Sequence, residues 1–272
     1  MKKYLVAAGS IVLLLTGTDR AAVDAQVGYA RGQDISPTFD GWEQNADGSY
    51  TLHFGYFNRN SAEELDVPVG PDNTFEPGGD RGQPTHFYPQ RKWWVFTTVV
   101  PKDWPKDQRV VWTLKTNGKT NQAKGWLQPE WEVDQDLIAK NGARDPSLMT
   151  NGTNQLDMDH GNRPPAIAIN ARSTIGLSET LTISATATDD GRPRAVPDPT
   201  GRLQQGVRVR WILYRGAGGV RIDPDIMTGR VHGKPATLEA KVRFVTPGAY
   251  RLRAIASDGQ AFSTRDVDVT VK

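Results

Sequence analysis

Five aspartates carry oxygen atoms that could bind a metal ion. Asp189 and Asp190 end one predicted strand, Asp258 ends another, and Asp157 and Asp159 precede the first strand of the same half of the chain. Calcium requires several hard oxygen ligands, so these residues are candidate calcium ligands if the fold brings them together. The alternative is that Asp-Asp-Gly and Ser-Asp-Gly are ordinary turns, in which aspartate accepts backbone hydrogen bonds. We predict no other cofactor.

Aromatic residues in the first half provide a second candidate site. Trp93 and Trp94 are consecutive, and because side chains alternate along a strand, both cannot point into one core. An exposed tryptophan beside His86 and Tyr88 would suit stacking on a sugar or contact with a protein. We therefore predict a ligand-binding site at Trp93, Trp94, His86 and Tyr88. The alternative is that these aromatic side chains pack under a long loop.

Catalytic signatures are absent from the sequence. The four histidines have no zinc-site spacing, the chain has no cysteine, and no nucleophile elbow, phosphate loop or His-Glu-x-x-His sequence occurs. A glycosidase pair of carboxylates would leave no such pattern, because its two acids need not be close in the chain. The sequence thus predicts a protein that is not an enzyme, with a secreted hydrolase as the least favoured alternative.

Strict alternation of apolar and polar residues predicts the strands that would position these groups in the second half. Six short strands, separated by turns rich in Gly, Asp and Pro, favour an immunoglobulin-like (Ig-like) β-sandwich. Trp211 is expected in the core on a central strand, and Tyr250 at the corner that begins a later strand. The apolar positions of the first two strands are Leu181, Ile183, Ala185 and Ala187, then Val207, Val209, Trp211 and Leu213.

The first half has the same character. Residues 50–57 alternate, with Tyr50, Leu52, Phe54 and Tyr56 on one face, and Asn117-Gly118 is a strong hairpin signal. Residues 67–89 are rich in Pro and Gly, which predicts a long surface loop. The predicted fold is therefore all-β, with two tandem Ig-like antiparallel β-sandwiches. Helix should be limited to about two turns within residues 133–140.

The two halves share a weak internal repeat. Residues 95–116 and 238–257 each consist of a strand, a proline turn and a second strand, and each is followed by a glycine turn. The predicted division is a signal peptide (1–25), a polar lead-in (26–36), an Ig-like sandwich with the Pro/Gly-rich loop (37–133), a linker (134–162) and a second sandwich (163–272).

The C-terminal sequence resembles bacterial PKD-type repeats through residues 162–167 (Asn-Arg-Pro-Pro-Ala-Ile), residues 181–191, Trp211 and residues 247–259. The resemblance covers about residues 163–272 and implies an extracellular Ig-like module without identifying a function. In an Ig-like topology the loops that carry Asp190 and Asp258 lie at one end, where the incoming chain also arrives. Cadherin-type repeats, which are related in architecture, place calcium at such joints, so we expect calcium to stiffen the joint between the halves.

The N-terminus predicts secretion. A basic start, an apolar run over residues 4–15 and a small-residue exit at residues 23–25 form a signal peptide, with Gln26 as the mature N-terminus. The alternative is an anchor that is never cut. No later stretch is apolar enough to span a membrane. Lysine plus arginine number 33 against 31 aspartate plus glutamate, and this balance predicts no nucleic-acid partner.

Together these features predict a non-enzymatic binding or assembly protein of the cell envelope, in the periplasm or outside the cell. Its expected partner is another envelope or extracellular protein, or a second copy of itself. The alternative is a carbohydrate- or small-ligand-binding protein that uses the aromatic loop of the first half.

Overall fold

The computed structural model describes residues 29–142, 159–193, 207–229 and 235–272. The predicted signal peptide and Asp157 lie outside the described residues. Strands account for most of the described chain, so the predicted all-β fold class is confirmed. Within the described ranges, no helix has the length and apolar character needed to cross a membrane.

The N-terminal sandwich is built from two three-stranded sheets and a short additional pair. Its strands are β1 (Ile35–Gln44), β2 (Tyr50–Asn58), β3 (Leu65–Asp66), β4 (Asn73–Glu76), β5 (His86–Phe87), β6 (Gln90–Val100), β7 (Val110–Thr116) and β8 (Lys119–Gly125). The sheet orders β1-β2-β6 and β4-β7-β8 correspond to strands A-B-E and C-F-G of an Ig-like domain, while β3 pairs with β5. The predicted lead-in therefore already contains the start of β1 at Ile35.

The C-terminal sandwich has the fuller Ig-like topology. Its strands are β9 (Ala166–Asn170), β10 (Thr174–Ile175), β11 (Leu181–Thr188), β12 (Val207–Arg215), β13 (Arg221–Asp223), β14 (Ile226–Gly229), β15 (Ala236–Arg243), β16 (Gly248–Ser257) and β17 (Phe262–Val271). The sheet order β13-β15-β11-β9 corresponds to D-E-B-A, and β10-β17-β16-β12-β14 corresponds to A′-G-F-C-C′. The repeat found in the sequence thus falls on equivalent strands, E and F, of both sandwiches.

The core of the C-terminal sandwich confirms the sequence prediction. Trp211 lies on the central strand β12 and is 1% exposed, and Tyr250 on β16 is 3% exposed. The Tyr250 hydroxyl donates a hydrogen bond of 2.7 Å to the Thr246 carbonyl, which closes the corner before the strand. This is the tyrosine corner that Ig-like sandwiches use to fix that turn.

Residues 67–89 correct the prediction of a long surface loop. The segment contributes β4 to a sheet, and its Asn73 side chain is buried. Asn73 donates to the carbonyls of Val67 and Pro84, and accepts a hydrogen bond of 2.9 Å from the Trp112 indole. A side-chain amide thus satisfies backbone groups that no sheet ladder reaches, so the segment packs although its composition is that of a loop.

The connection after the N-terminal sandwich begins with helical structure. A 3₁₀ turn at Pro129–Trp131 leads into the helix α1 (Gln135–Gly142), which has the predicted two turns but begins two residues later than predicted and extends through Gly142. Ile138 of α1 is buried with Trp94, Val133 and Ile255. The helix therefore packs against both sandwiches.

Replacing Trp211 with alanine should lower the free energy of unfolding by about 3–5 kcal/mol, because a large buried ring leaves a cavity. Trp131, which is 43% exposed, provides the matched control, and Trp131→Ala should cost much less. Urea unfolding of both variants measures the difference. Equal losses would contradict the central position of Trp211.

Candidate functional site

A bulge that crosses three neighbouring strands shapes the face of the N-terminal sandwich. Asp40 is an extra residue of β1 between the pairs Phe39–Phe54 and Gly41–His53. On the other side of β2, three residues of β6 (93–95) lie opposite Gly55 alone. The two irregularities lie on either side of Phe54 in β2, and the Asp40 carboxylate reaches Gly55, so they form one feature of the sheet.

A buried ion pair holds this bulge. The Asp40 carboxylate accepts hydrogen bonds from the Arg91 guanidinium and from the Trp94 backbone amide, the latter at 2.9 Å. Burial raises the pKa of the Asp40 carboxyl, while Arg91 opposes that rise. A Cβ atom at Gly55 would collide with Asp40 and with the Lys92 carbonyl, so this position needs glycine.

The bulge changes the direction of the two consecutive tryptophans. Trp94 has a φ of 54°, a left-handed conformation that is unusual for an aromatic residue. Trp94 is buried, Trp93 is half-buried, and their ring centroids are 6.3 Å apart. Strand alternation predicted opposite faces for the pair. The extra residues of β6 instead turn both rings towards the C-terminal sandwich.

A second bulge, in β12, directs a side chain of the C-terminal sandwich into the N-terminal sandwich. Tyr214 is the extra residue of β12, between the pairs Leu213–Leu252 and Arg215–Arg251. Its ring is 1% exposed and belongs to the hydrophobic cluster of the N-terminal sandwich. Its hydroxyl donates to the Gly82 carbonyl, and its own carbonyl accepts from the Thr85 amide at 3.0 Å. The C-terminal sandwich therefore completes the core of its neighbour.

Two arginines reinforce this joint. Arg253 forms a bidentate pair with Asp266 (2.7 and 2.9 Å), donates to the Val95 carbonyl (2.7 Å) and lies 3.5 Å over the Tyr214 ring. Arg215 forms a bidentate pair with Asp80 at 2.7 and 3.0 Å. Direct contacts therefore hold the two sandwiches together at this side of the joint. The expectation that calcium stiffens the joint stays a prediction.

His86 stabilises the joint indirectly, through its hydrogen bond to Asp66. Its ring nitrogens are hydrogen-bonded to Asp66 (2.7 Å) and Glu64 (3.2 Å). Burial by itself would lower the pKa of His86, but the two carboxylates outweigh burial and raise the pKa to about 9. Asp66 also accepts a hydrogen bond of 2.9 Å from the Gly218 amide of the C-terminal sandwich. The sequence placed His86 in a candidate ligand-binding site, whereas the structure buries its ring against two carboxylates that favour the protonated form.

The joint encloses a cavity, which we call the aromatic cavity. Its accessible volume is about 60 Å³. Both sandwiches line it, with Tyr56, Tyr88, Lys92, Trp93, Trp94 and Val95 on one side and Arg210, Ile212, Arg253, Ile255, Phe262 and Thr264 on the other. A concave site with a mainly apolar wall is typical of small-ligand binding.

A wider and more polar cleft, with an accessible volume of about 490 Å³, shares several residues with the aromatic cavity. Its carboxylates, Glu43 and Asp266, are the obvious candidates for acid catalysis. The hydrogen bond from His53 holds the pKa of Glu43 below its usual value, the opposite of what a general acid needs. Both oxygens of Asp266 accept hydrogen bonds from Arg253. The cleft thus gives no support to the hydrolase alternative.

Three of the four predicted ligand-binding residues meet in one place. Trp93, Trp94 and Tyr88 line the aromatic cavity, while His86 lies beside Tyr88, with ring centroids 4.6 Å apart, and does not line it. Sequence reasoning missed Arg210 and Ile212, which face the cavity from the outer side of β12. Alternation along β12 was the available signal, because it places these two residues on the face opposite Trp211.

Three of the predicted calcium ligands accept backbone hydrogen bonds within turns. Asp189 and Asp190 accept the amides of Gly191 and Arg192, each at 2.9 Å. Asp258 accepts two backbone amides at 2.7 Å, and burial raises the pKa of its carboxyl to about 6. The nearby charge of Asp189 adds to that rise, so the two loops do meet at one end of the sandwich.

Asp159 lies at the same end and pairs with Arg192 at 2.7 Å. Within the described ranges, no three His, Cys, Asp or Glu residues are grouped so that they could hold a metal ion. Asp157 is outside those ranges, so the calcium site at Asp157, Asp159, Asp189, Asp190 and Asp258 stays a prediction.

No family model and no curated protein matches the sequence. Among solved structures, similarity is found to a CARDB domain from Pyrococcus furiosus in complex with di-metal ions (14% identity, 40% of this chain, 94% of that chain, TM-score 0.27). The D00–D0 domain of intimin (9%, 87% and 100%, 0.25) and a chimeric titin Z1Z2 tandem (12%, 87% and 99%, 0.26) are also similar. At these scores, the assignment of fold rests on the strand order above.

Asp40→Ala should reduce the free energy of unfolding by about 3–5 kcal/mol, because it leaves the Arg91 charge largely buried without its partner. Asp72→Ala is the matched control: Asp72 pairs with Lys115 at 3.6 Å on the surface, so its loss should cost less than about 1 kcal/mol. Urea unfolding compares the two. Similar small losses would show that Asp40 does not hold the bulge.

The stability of the protein should fall as the pH rises through 9. The folded pKa of His86, about 9, lies above its ordinary value of 6.5. The stabilisation is therefore complete below pH 6.5 and is lost as the proton leaves. His86→Gln should remove this fall between pH 6.5 and 9.5, whereas His160→Gln, at an exposed histidine, should retain it. Urea unfolding at both pH values tests this, and an unchanged fall in His86→Gln would refute it.

Proposed function

We propose that this chain is a secreted, non-enzymatic binding protein of the cell envelope, and that its binding site is the aromatic cavity between two docked Ig-like modules. One observation carries the proposal. The cavity is lined from both sandwiches, and it includes three residues that the sequence singled out for ligand binding. The modules are proposed to span residues 37–133 and 163–272, joined by residues 134–162.

The shape of the site favours a small ligand over a protein partner. The cavity is concave and lies between two sheets, whereas protein interfaces of the standard kind are broad surfaces. Assembly with another envelope protein, or with a second copy of the chain, is therefore the second candidate. The wider cleft favours a carbohydrate as an alternative small ligand, because it combines Trp94 with the polar side chains of Glu43, Gln135 and Gln260.

Secretion is supported by the sequence of the N-terminus. The basic start, apolar run and small-residue exit of residues 1–25 are those of a signal peptide. The resemblance of residues 163–272 to PKD-type repeats supports an extracellular location in the same way, and we propose membership of that group for the C-terminal module alone. Periplasm and cell surface are both compatible with these features.

Photocrosslinking in secreting cells tests the site. A benzoylphenylalanine replacing Thr264, an exposed residue that lines the cavity, should capture the ligand. The same group replacing Thr182, exposed on the opposite sheet, is the control. Mass spectrometry should show a chain that begins at Gln26 and carries an added mass of small-molecule size at position 264 only.

The outcomes separate the candidates. An adduct of protein size at position 264 would overturn the small ligand in favour of assembly. Adducts at neither position, or equally at both, would contradict the proposed site. An uncut N-terminus would contradict secretion as a processed protein.

A further inference from the structure

The cleft beside the aromatic cavity has room for a ligand of sugar size. Its accessible volume is about 490 Å³, and typical ligand pockets measure roughly 300–1,000 Å³. Both sandwiches and the helix α1 contribute to its walls, through residues such as Thr97, Thr264 and Gln135. The cleft is therefore a candidate site in its own right.

The charged side chains of the cleft already have partners within the protein. Each of those that line it is hydrogen-bonded to another side chain: Glu43 with His53 (3.0 Å), Arg251 with Asp268 (2.7 and 2.9 Å) and Arg253 with Asp266 (2.7 and 2.9 Å). A charged ligand would lose its hydration on entering the cleft and would meet no counter-charge that is not already paired. This arrangement favours an uncharged ligand.

The same side chains retain hydrogen-bonding capacity that suits hydroxyl groups. An ionised carboxylate offers about four acceptor sites, and each oxygen of Asp266 accepts one hydrogen bond from its arginine partner. The Gln135 amide donates to Glu43 over 3.4 Å, in an exposed contact that a ligand hydroxyl could replace. Thr97 and Thr264 are exposed and add hydroxyls of their own. Because a hydroxyl both donates and accepts, a ligand rich in hydroxyls matches this mixture of groups.

A buried donor in the cleft requires an acceptor. Trp94 lines the cleft and is 5% exposed, and its Nε1 has no hydrogen-bond partner among the residues that the structure describes. An unsatisfied buried donor is costly, so such a group in a folded protein calls for an explanation. The His53 ring packs edge-on against Trp94 at 5.3 Å, and Asp40 accepts the Trp94 backbone amide, so the position of the indole is restricted. An oxygen atom of a ligand in the cleft would supply the missing acceptor.

An aromatic ring on the opposite wall adds an apolar surface. Phe262 of the C-terminal sandwich lines the cleft and is half-buried. Sugar rings carry C–H groups on one face and hydroxyls around the edge, so they can pack against an aromatic ring while their hydroxyls reach polar side chains.

We propose that this cleft binds an uncharged carbohydrate of one or two sugar units. One sugar oxygen accepts a hydrogen bond from Trp94 Nε1, and hydroxyls of the sugar bond to Asp266, Gln135 and Thr264. The inference develops the carbohydrate alternative of the proposed function, and it rests on that function only in taking the ligand to be small.

A glycan array tests the proposal. The mature chain is biotinylated at its C-terminus and displayed on streptavidin, so that weak binding becomes multivalent, and is then applied to neutral, carboxylated and sulfated glycans. We expect a signal on neutral glycans, and the neutral sugar with the strongest signal should also bind as a free sugar in calorimetric titration at millimolar concentration. No signal on any neutral glycan, or a signal on charged glycans alone, would overturn the proposal.

Variants then locate the bound sugar. Trp94→Phe keeps an aromatic ring and removes the Nε1 donor, so it should weaken binding of the free sugar about fivefold. Gln135→Ala should weaken binding about threefold. Gln122→Ala removes an exposed glutamine on β8, outside the cleft, and should leave the affinity unchanged.

Thermal unfolding of each variant confirms that it is folded before titration, and Gln135→Ala, at an exposed position, tests the site even if Trp94→Phe does not fold. Wild-type affinity in Gln135→Ala together with a folded Trp94→Phe, or in Gln135→Ala alone if Trp94→Phe is unfolded, would overturn the assignment to this cleft. A small-molecule adduct at position 264 alongside any of these failures would leave the proposed function standing and remove only the carbohydrate.

Discussion

The guanidinium of Arg253 makes the contacts on which the arrangement of the two sandwiches depends. It is fixed by Asp266 on its own sheet, and from there it reaches the bulged strand β6 at Val95 and covers the ring of Tyr214. Hydrogen bonds and ion pairs that share one group strengthen one another in a site shielded from water. Both irregular strands contact this side chain, so Arg253 helps to hold the two walls of the cavity in place.

The regular parts of the molecule could be predicted because their signals are local. Alternation in residues 181–188 and 207–213 places each side chain without reference to any distant residue. The tyrosine corner at Tyr250 likewise depends on only a few neighbouring residues. The internal repeat could be predicted for the same reason, because a strand, a proline turn and a second strand follow one another in both halves.

The site itself depends on contacts between residues far apart in the chain, and these the sequence does not display. Asp40 and Arg91 meet only because two strands bulge at the same level. The spacing of residues in the sequence does not predict such a bulge. Residues 67–89 look like a loop because Pro and Gly dominate, yet Asn73 supplies the missing backbone partners. For the acidic loops, the sequence predicted the position of the residues but not their hydrogen bonds. Topology brought Asp189 and Asp258 to one end as expected, but turn geometry already uses much of their hydrogen-bonding capacity.

Tyr214 also bears on how such a chain can change over time. A domain with its own complete core can in principle fold alone and be joined to other neighbours. Here the C-terminal sandwich places the Tyr214 ring in the core of the N-terminal sandwich, where it is almost fully shielded from water. A copy of either half joined to a foreign neighbour would carry an unfilled hole or a bare tyrosine. The two halves are therefore expected to be inherited as a pair, and to accept substitutions at this contact only in concert.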